Sequence, residues 1–361
     1  MLKKYYKTID FYITWKFLGT FFFVIALILS IAVVFDFSEN LDEFLSKDLS
    51  AKEVIFEYYL NFIPYFANLF SPLFTFIAVI YFTSKMAYKT EIIAILSSGV
   101  SYNRLMRPYL VSAFVLAMLS YTLGNYIIPP ANKTMNEFRA KNIDNVRVSS
   151  ERDIHQQIEP GVYVYIRSFS PTNVGSGFTI ERFEGAELKE KLSADNIRWN
   201  EEEDRWVINN YLRRTIYKDH EVLEKGYRID TMLNMTPHEL KTIKNAMETF
   251  TTPALKSEIK SMKSRGVNTI EWQIERHKRV AGPFSAFILT IIGAGLASRK
   301  IKGGLGLHLG LGLLLAFTYI MFMQVSTVFA ISGNVPPLLA VWIPNFIFSG
   351  IAFFVYRWAA R

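Results

Sequence analysis

The sequence predicts an integral membrane α-helical bundle of six transmembrane helices carrying an inserted, periplasmic, all-β jellyroll-like domain. Three observations predict it. Apolar runs are grouped three and three along the chain, a polar middle segment alternates with a period of two, and basic residues cluster on one side of the runs.

The apolar runs are residues 16–37, 54–81 and 105–128, then 280–297, 303–331 and 336–356. A hydrocarbon core about 30 Å thick takes about 20 helical residues, so each run can cross it. Lys3, Lys4 and Lys7 precede the first run, and Lys85, Lys89, Arg104 and Arg107 lie between the second and third. Arg299, Lys300 and Lys302 sit between the fourth and fifth, and Arg357 and Arg361 close the chain. The alternate connections are acidic (Asp36, Glu39, Asp42, Glu43 and Asp48 against Lys47) or uncharged (332–337). The positive-inside bias therefore places both termini in the cytoplasm and the middle segment outside, which in a bacterium is the periplasm. The N-terminal apolar run exceeds a signal peptide's and no small-residue cleavage site follows, so it is expected to remain as the first span.

The expected division is 1–132 for helices one to three, 133–259 for the β domain, and 260–361 for a connecting helix end and helices four to six. Within the insert, Val162, Val164 and Ile166 alternate with Tyr163, Tyr165 and Arg167, a strand with one apolar face. Residues 173–177 look like a turn before a second run containing Phe178, Ile180 and Phe183. Ile197 to Trp199 and Trp206 to Ile208 flank a charged loop, a hairpin signature. Short, evenly spaced strands suggest a sandwich or jelly roll. The β pattern stops near Thr236-Pro237, and a polar helix is expected from Thr252-Pro253 to about Gly266.

The formal net charge is +8, but the excess sits beside the spans, where it faces anionic lipid, so nucleic acid is not an expected partner. There is no Cys, which excludes disulfides, thiolate metal sites and a cysteine nucleophile. The sequence holds no phosphate-binding loop of the Gly-x-x-x-x-Gly-Lys-Ser/Thr type and no Gly-x-Ser-x-Gly elbow. The five histidines, His155, His220, His238, His277 and His308, show no metal-ligand spacing. Glu201 and Glu203 read as a solvated hairpin tip. No enzyme, metal or cofactor is expected.

Polar residues in the spans are few: Glu57, Asn61, His308, Gln324 and Asn345. No carboxylate chain suggests a proton path, so an apolar, aromatic pathway fits a lipid cargo better than an ion. In the fifth run Gly306 and Gly310 form a small-xxx-small pair, suited to close helix packing within the chain or between subunits.

The stretch from Thr90 to Gly99 reads as a short helix, with Thr90 as N-cap, Glu91 at the positive end of the dipole and Gly99 as the left-handed stop. Ile92, Ile95 and Leu96 share one face. Such a helix, within about 88–99, can dock into a groove on a cytosolic partner or lie on its own bundle.

This Thr-Glu-Ile-Ile-Ala-Ile-Leu-Ser-Ser-Gly core resembles the coupling helix of the YjgP/YjgQ permease family, the LptF/LptG subunits of the lipopolysaccharide exporter. The likeness extends to the Asp10-Phe-Tyr-Ile13 start, the Asn-x-x-x-Pro-Pro-Ala exit at 125–131, the β insert, the Thr236-Pro237 turn and the Val335-Pro-Pro337 turn. It implies a permease without its own ATPase, which extracts lipopolysaccharide from the inner membrane and passes it to a periplasmic bridge. The implied partners are a cytosolic ABC ATPase dimer, a second LptF/LptG-type permease, a single-span LptC-like protein and an LptA-like bridge.

By the same resemblance, Glu91, Ile92, Ile95 and Leu96, ending at Gly99, would seat in the ATPase groove. The first and fifth spans would line a lipid cavity, with Phe21, Phe35, Phe317 and Phe322 as candidates. Val162, Val164 and Ile166 would meet acyl chains in the β domain. Family members often place basic residues near the outer end of the first span, where this chain has the acidic stretch 36–43, so direct phosphate contact there is not expected. Two alternatives are a permease for another lipid or lipoprotein, and a membrane sensor whose β domain binds a ligand. The sensor predicts no ATPase partner.

Overall fold

The structure, a computed structural model, describes residues 8–143, 151–170, 172–201, 203–240, 246–264, 267–299 and 304–361. These form two compact units. The first comprises 1–143, 248–252 and 270–361, and the second 144–247 and 253–269.

The first unit is helical. It holds α1 (Thr8–Glu39), α2 (Leu41–Ser46), α3 (Ala51–Glu53), α4 (Leu60–Leu69), α5 (Ser71–Tyr88), α6 (Glu91–Ser97), α7 (Tyr102–Thr122) and α8 (Ile128–Asn142). Among the described residues, five helical segments are long and apolar enough to cross a membrane, or six if one bent pair is a single span. That pair is Ala51–Leu69 with Ser71–Tyr88, bent by 63°. The second span was expected to be continuous. It breaks at Phe70, between Pro64 inside α4 and Pro72 in the first turn of α5, where each proline removes a backbone donor.

The third span also differs from expectation. Helix runs unbroken through a π segment (Leu123–Ile127) to Asn142, so the expected boundary at 132 falls inside it. Pro129 is tolerated because it lies in the first turn of α8.

The second unit carries β1 (Glu151–Glu159), β2 (Val162–Phe169), β3 (Val174–Glu184), β4 (Glu187–Asn200), β5 (Arg205–Ile216) and β6 (Glu221–Thr231). The strands pair antiparallel in sequence order. The inserted β domain is present, but among the described residues its connectivity is a meander, without the Greek-key crossovers of a jelly roll. Short hairpins join every successive pair, so each strand finds its partner locally. The expected hairpin is in register, with Ile197 opposite Ile208 and Trp199 opposite Trp206.

The turn expected at 173–177 begins earlier. Asn173 N donates to Ser170 O, and Gly175 is already in β3. A Cβ on Gly175 would come within 2.8 Å of Ile197 Cγ2 and 2.9 Å of Ile166 Cγ2, so this glycine serves packing rather than turning. One sheet face is apolar and closes over Trp206, whose Nε1 donates to Met235 O at 2.9 Å. Leu240, in α9 (Pro237–Leu240), completes that core. The polar helix appears as α10 (Thr252–Ser264); Gly266, its expected stop, lies outside the described residues.

The first unit resumes with α11 (Ile270–Ala281), α12 (Ser285–Ala297), α13 (Gly304–Ile331) and α14 (Pro337–Ala359). Central α12 packs against α5, α7 and α14 through Leu289, Ile292 and Ala297, with small Gly293 and Gly295 admitting Phe76, Val79 and Val355. On α13, among the described residues, the close approach within the chain is at Gly312, where a Cβ would clash with Ile80 Cδ1. Among the described residues a Cβ on Gly306 or Gly310 would meet nothing within 4 Å, so no close packing within the chain is seen there.

Candidate functional site

Helix α6 is seven residues long and lies on the bundle. Ile92 is 1% exposed within the main helical core, and Ile95 and Leu96 pack against that core. The face expected to enter a partner's groove is therefore turned inward, because three branched residues at helical spacing bury more apolar area on their own bundle than in water. Ile93, Ala94 and Ser97 are the residues presented outward.

Thr90 does not cap α6 through its side chain. It adopts the left-handed conformation (φ 62°) and its Oγ1 donates to Lys89 O at 2.6 Å. Gly99 does stop the helix as expected, at φ 87°.

Glu91 is held by α1. Tyr12 Oη donates to Glu91 Oε2 at 2.8 Å, and Lys16 Nζ lies 3.4 Å from the same oxygen. Lys16 also contacts the Tyr12 hydroxyl and ring. Tyr12 and Lys16 are one helical turn apart and so share a face. Sequence reading placed neither near Glu91; their i,i+4 spacing at the basic end of the first span was the available signal.

A second tie was also missed. Arg104 at the start of α7 grips Asp10 near the start of α1, with Nη1 to Oδ1 at 2.5 Å and Nη2 to Oδ2 at 2.6 Å. Asp10 is 2% exposed. A buried carboxylate at the mouth of an apolar run needs such partners.

The aromatic candidates divide. Phe21 is 2% exposed and belongs to the bundle core, packed inside the chain rather than facing a cavity. Phe35, Phe317 and Phe322 are exposed, at 73%, 57% and 42%. Asp36, in the acidic stretch, accepts hydrogen bonds from Tyr58 at 3.0 Å and Tyr59 at 3.1 Å. Of the polar span residues, Asn345 is satisfied by Tyr319 Oη and Ala281 O. The His308 side chain lies outside the described residues. In the second unit, Val162, Val164 and Ile166 all point into the apolar face, where Phe178, Ile180 and Leu192 already pack beside them.

A buried polar cluster holds residues 248–252 to the helical unit. Arg279 donates to Glu275 Oε1 (2.8 Å), Phe250 O (2.7 Å) and Thr252 Oγ1 (3.3 Å), and Thr252 Oγ1 donates to Asn125 Oδ1 at 2.6 Å. Burial, then repulsion from Glu275, pushes the Glu248 carboxyl up to about 7, with Lys278 and Arg279 opposing. The fold thus binds a proton that the unfolded chain releases above about 4.5. Stability contributed by this proton is full below pH 4.5 and is lost as pH rises through 7. Thermal unfolding at pH 5 to 8 should show it: Glu248→Gln flattens the decline and is more stable than the parent above pH 7.

The family described as "Lipopolysaccharide export system permease LptF/LptG" matches residues 11–358. The chain is 17% identical over 291 residues to the lipopolysaccharide export system permease protein LptG of Escherichia coli K12, covering 80% of this chain and 81% of that protein. It is 17% identical over 345 residues to the LptG protein of Haemophilus influenzae, covering 95% and 96%.

Proposed function

The chain belongs to the lipopolysaccharide export permease family LptF/LptG, and from that premise we propose how its parts share the work of export. It is a multi-pass transport permease of the inner membrane that exports lipopolysaccharide. ATP is hydrolysed by a separate cytosolic ABC ATPase dimer. A second permease of the same type completes the transporter, and an LptC-like single-span protein and LptA-like bridge receive the lipid. Both termini are cytoplasmic and the β domain is periplasmic, as the basic clusters suggest.

The observation that carries this reading is the seating of α6. A short helix on the basic side is fastened to the bundle by Ile92 and latched to the first span through Glu91, Tyr12 and Lys16, while it presents Ile93, Ala94 and Ser97 outward. In this reading the outward face touches the ATPase, and the inward face and Glu91 pass its movement to α1. Glu91, Ile92, Ile95, Leu96 and Gly99 remain the coupling element, with roles in transmission and placement rather than direct seating. Exposed Phe35, Phe317 and Phe322 meet lipid or the second permease, and the sheet face bearing Val162, Val164 and Ile166 is the acyl path of the β domain.

Affinity purification from membranes containing the native partners tests this. The parent chain should recover a cytosolic ATPase, and Ala94→Arg, which puts a long cation on the exposed face, should lower that recovery at least ~tenfold, as a loss of ~2 kcal/mol at an interface centre does. Undiminished recovery would remove α6 as the docking element.

A further inference from the structure

Between α7, α12 and α14 lies a half-open groove of about 740 Å³. Its floor is α12, through Phe287, Ile288 and Ile291, and its walls include Met106 and Leu110 of α7 and Phe346 and Phe353 of α14. Aromatic contacts flank both ends. At one, Tyr356 Oη donates to Asn103 Oδ1 at 2.6 Å and its ring lies 5.6 Å from Tyr102. At the other, Phe284 and Trp342 are 5.0 Å apart.

Tyr356 and Trp342 are 14 residues apart on one helix, about 21 Å at 1.5 Å per residue. That exceeds one leaflet's half of a hydrocarbon core, about 15 Å. Acyl chains fit the groove.

The end at Tyr356 is also the basic end. Arg107 lies between Met106 and Leu110 in sequence, within about a turn of Asn103, and is exposed. Arg357 follows Tyr356, and its guanidinium is 5.8 Å from the Phe353 ring that lines the groove. Both can extend toward the membrane surface while their stems stay on apolar walls. An apolar slot at acyl depth, ending in two guanidinium groups, matches a lipid with a negative headgroup.

We propose that this groove binds an anionic phospholipid of the membrane, its acyl chains between α7 and α14 and its phosphate at Arg107 and Arg357. The site lies apart from the α1 and α13 surfaces assigned to the cargo, so it adds a resident lipid to the export reading.

Native mass spectrometry of the full-length protein, exchanged into mixed micelles of phosphatidylglycerol and phosphatidylcholine with matched chains, tests this. Retention of phosphatidylglycerol should exceed that of phosphatidylcholine roughly tenfold or more, the scale set by two arginines near an anionic surface. The double variant R107Q/R357Q should lose the preference, and Ser349→Trp, which fills the groove, should lose the bound lipid. Equal retention of the two lipids by the parent chain overturns the proposal without any variant. So does an unchanged preference in R107Q/R357Q. A photo-crosslinker at Leu110 should give a lipid adduct; a protein adduct there would overturn it as well.

Discussion

Arg104→Ala is expected to destabilise the helical unit by about 1.5–3 kcal/mol, the worth of hydrogen bonds to a charged group. The group that loses this partner is Asp10, 2% exposed in the first turns of α1. Its two oxygens now meet the two terminal nitrogens of Arg104 at 2.5 and 2.6 Å, a fork-to-fork pair. The reciprocal change, Asp10→Ala, should cost less, because the Arg104 side chain is 22% exposed and can turn its head to water. Arg104→Lys should recover only part, since an ammonium offers a point charge in place of the planar fork. Thermal unfolding in detergent, followed by circular dichroism, should show a drop of roughly 5 °C for Arg104→Ala. Equal losses for the two alanine variants would mean that the asymmetry in burial does not matter.

Glu91→Lys is the second large expected effect, and it falls on transport rather than stability. At 3.4 Å, with both side chains about a third exposed, the Lys16–Glu91 pair is worth at most about 1 kcal/mol, so the fold should survive. What is lost is the link between α6 and α1. The carboxylate that accepts from Tyr12 disappears, and two ammonium groups face each other across the junction. The ATPase should still be recovered with the variant, because Ile93, Ala94 and Ser97 are unchanged. Lipid export per ATP hydrolysed, measured in proteoliposomes, should fall by about tenfold or more, the scale of one lost charge-assisted hydrogen bond. Glu91→Gln, which can still accept from Tyr12, should fall between. An export ratio unchanged in Glu91→Lys would sink the latch, while Ala94→Arg separately tests docking.

Much of the fold is legible in the sequence. The apolar runs map onto the membrane-length helices to within a few residues at most ends, because span length is set by bilayer thickness. The period of two at Val162, Val164 and Ile166 gave the buried face of β2, and the charged loop before Trp206 gave the β4–β5 hairpin. The break at Phe70 was not legible. Prolines at 64 and 72 are compatible with a kinked continuous helix or with a bend of 63°, and packing chooses. The meander was hidden for a similar reason: strand spacing says how often the chain turns, not which strands end up adjacent.

The candidate site was legible in place but not in orientation. Its short helix, its carboxylate and its Gly99 stop follow from local rules of spacing and backbone conformation, whereas the expected Thr90 side-chain cap does not form. Ile92, Ile95 and Leu96 form an apolar face by spacing alone, yet the same face could serve a partner or the bundle, and only the packed structure turns it inward. The ties Asp10–Arg104 and Glu91–Lys16 join residues 94 and 75 positions apart. A local pattern such as the i,i+4 spacing of Tyr12 and Lys16 can mark one side of such a pair but does not name its partner.

The sequence by itself determined the class of this protein: membrane-length helices in two groups, a β insert between them, and a basic side. Those properties depend on transfer of short segments between water and lipid, which each segment settles alone. Tertiary structure decided which face of α6 is free, where the second span bends, which glycine meets a neighbour and which carboxylates are paired. Each of these is a competition between surfaces for the same contact, and its outcome exists only once the helices have packed.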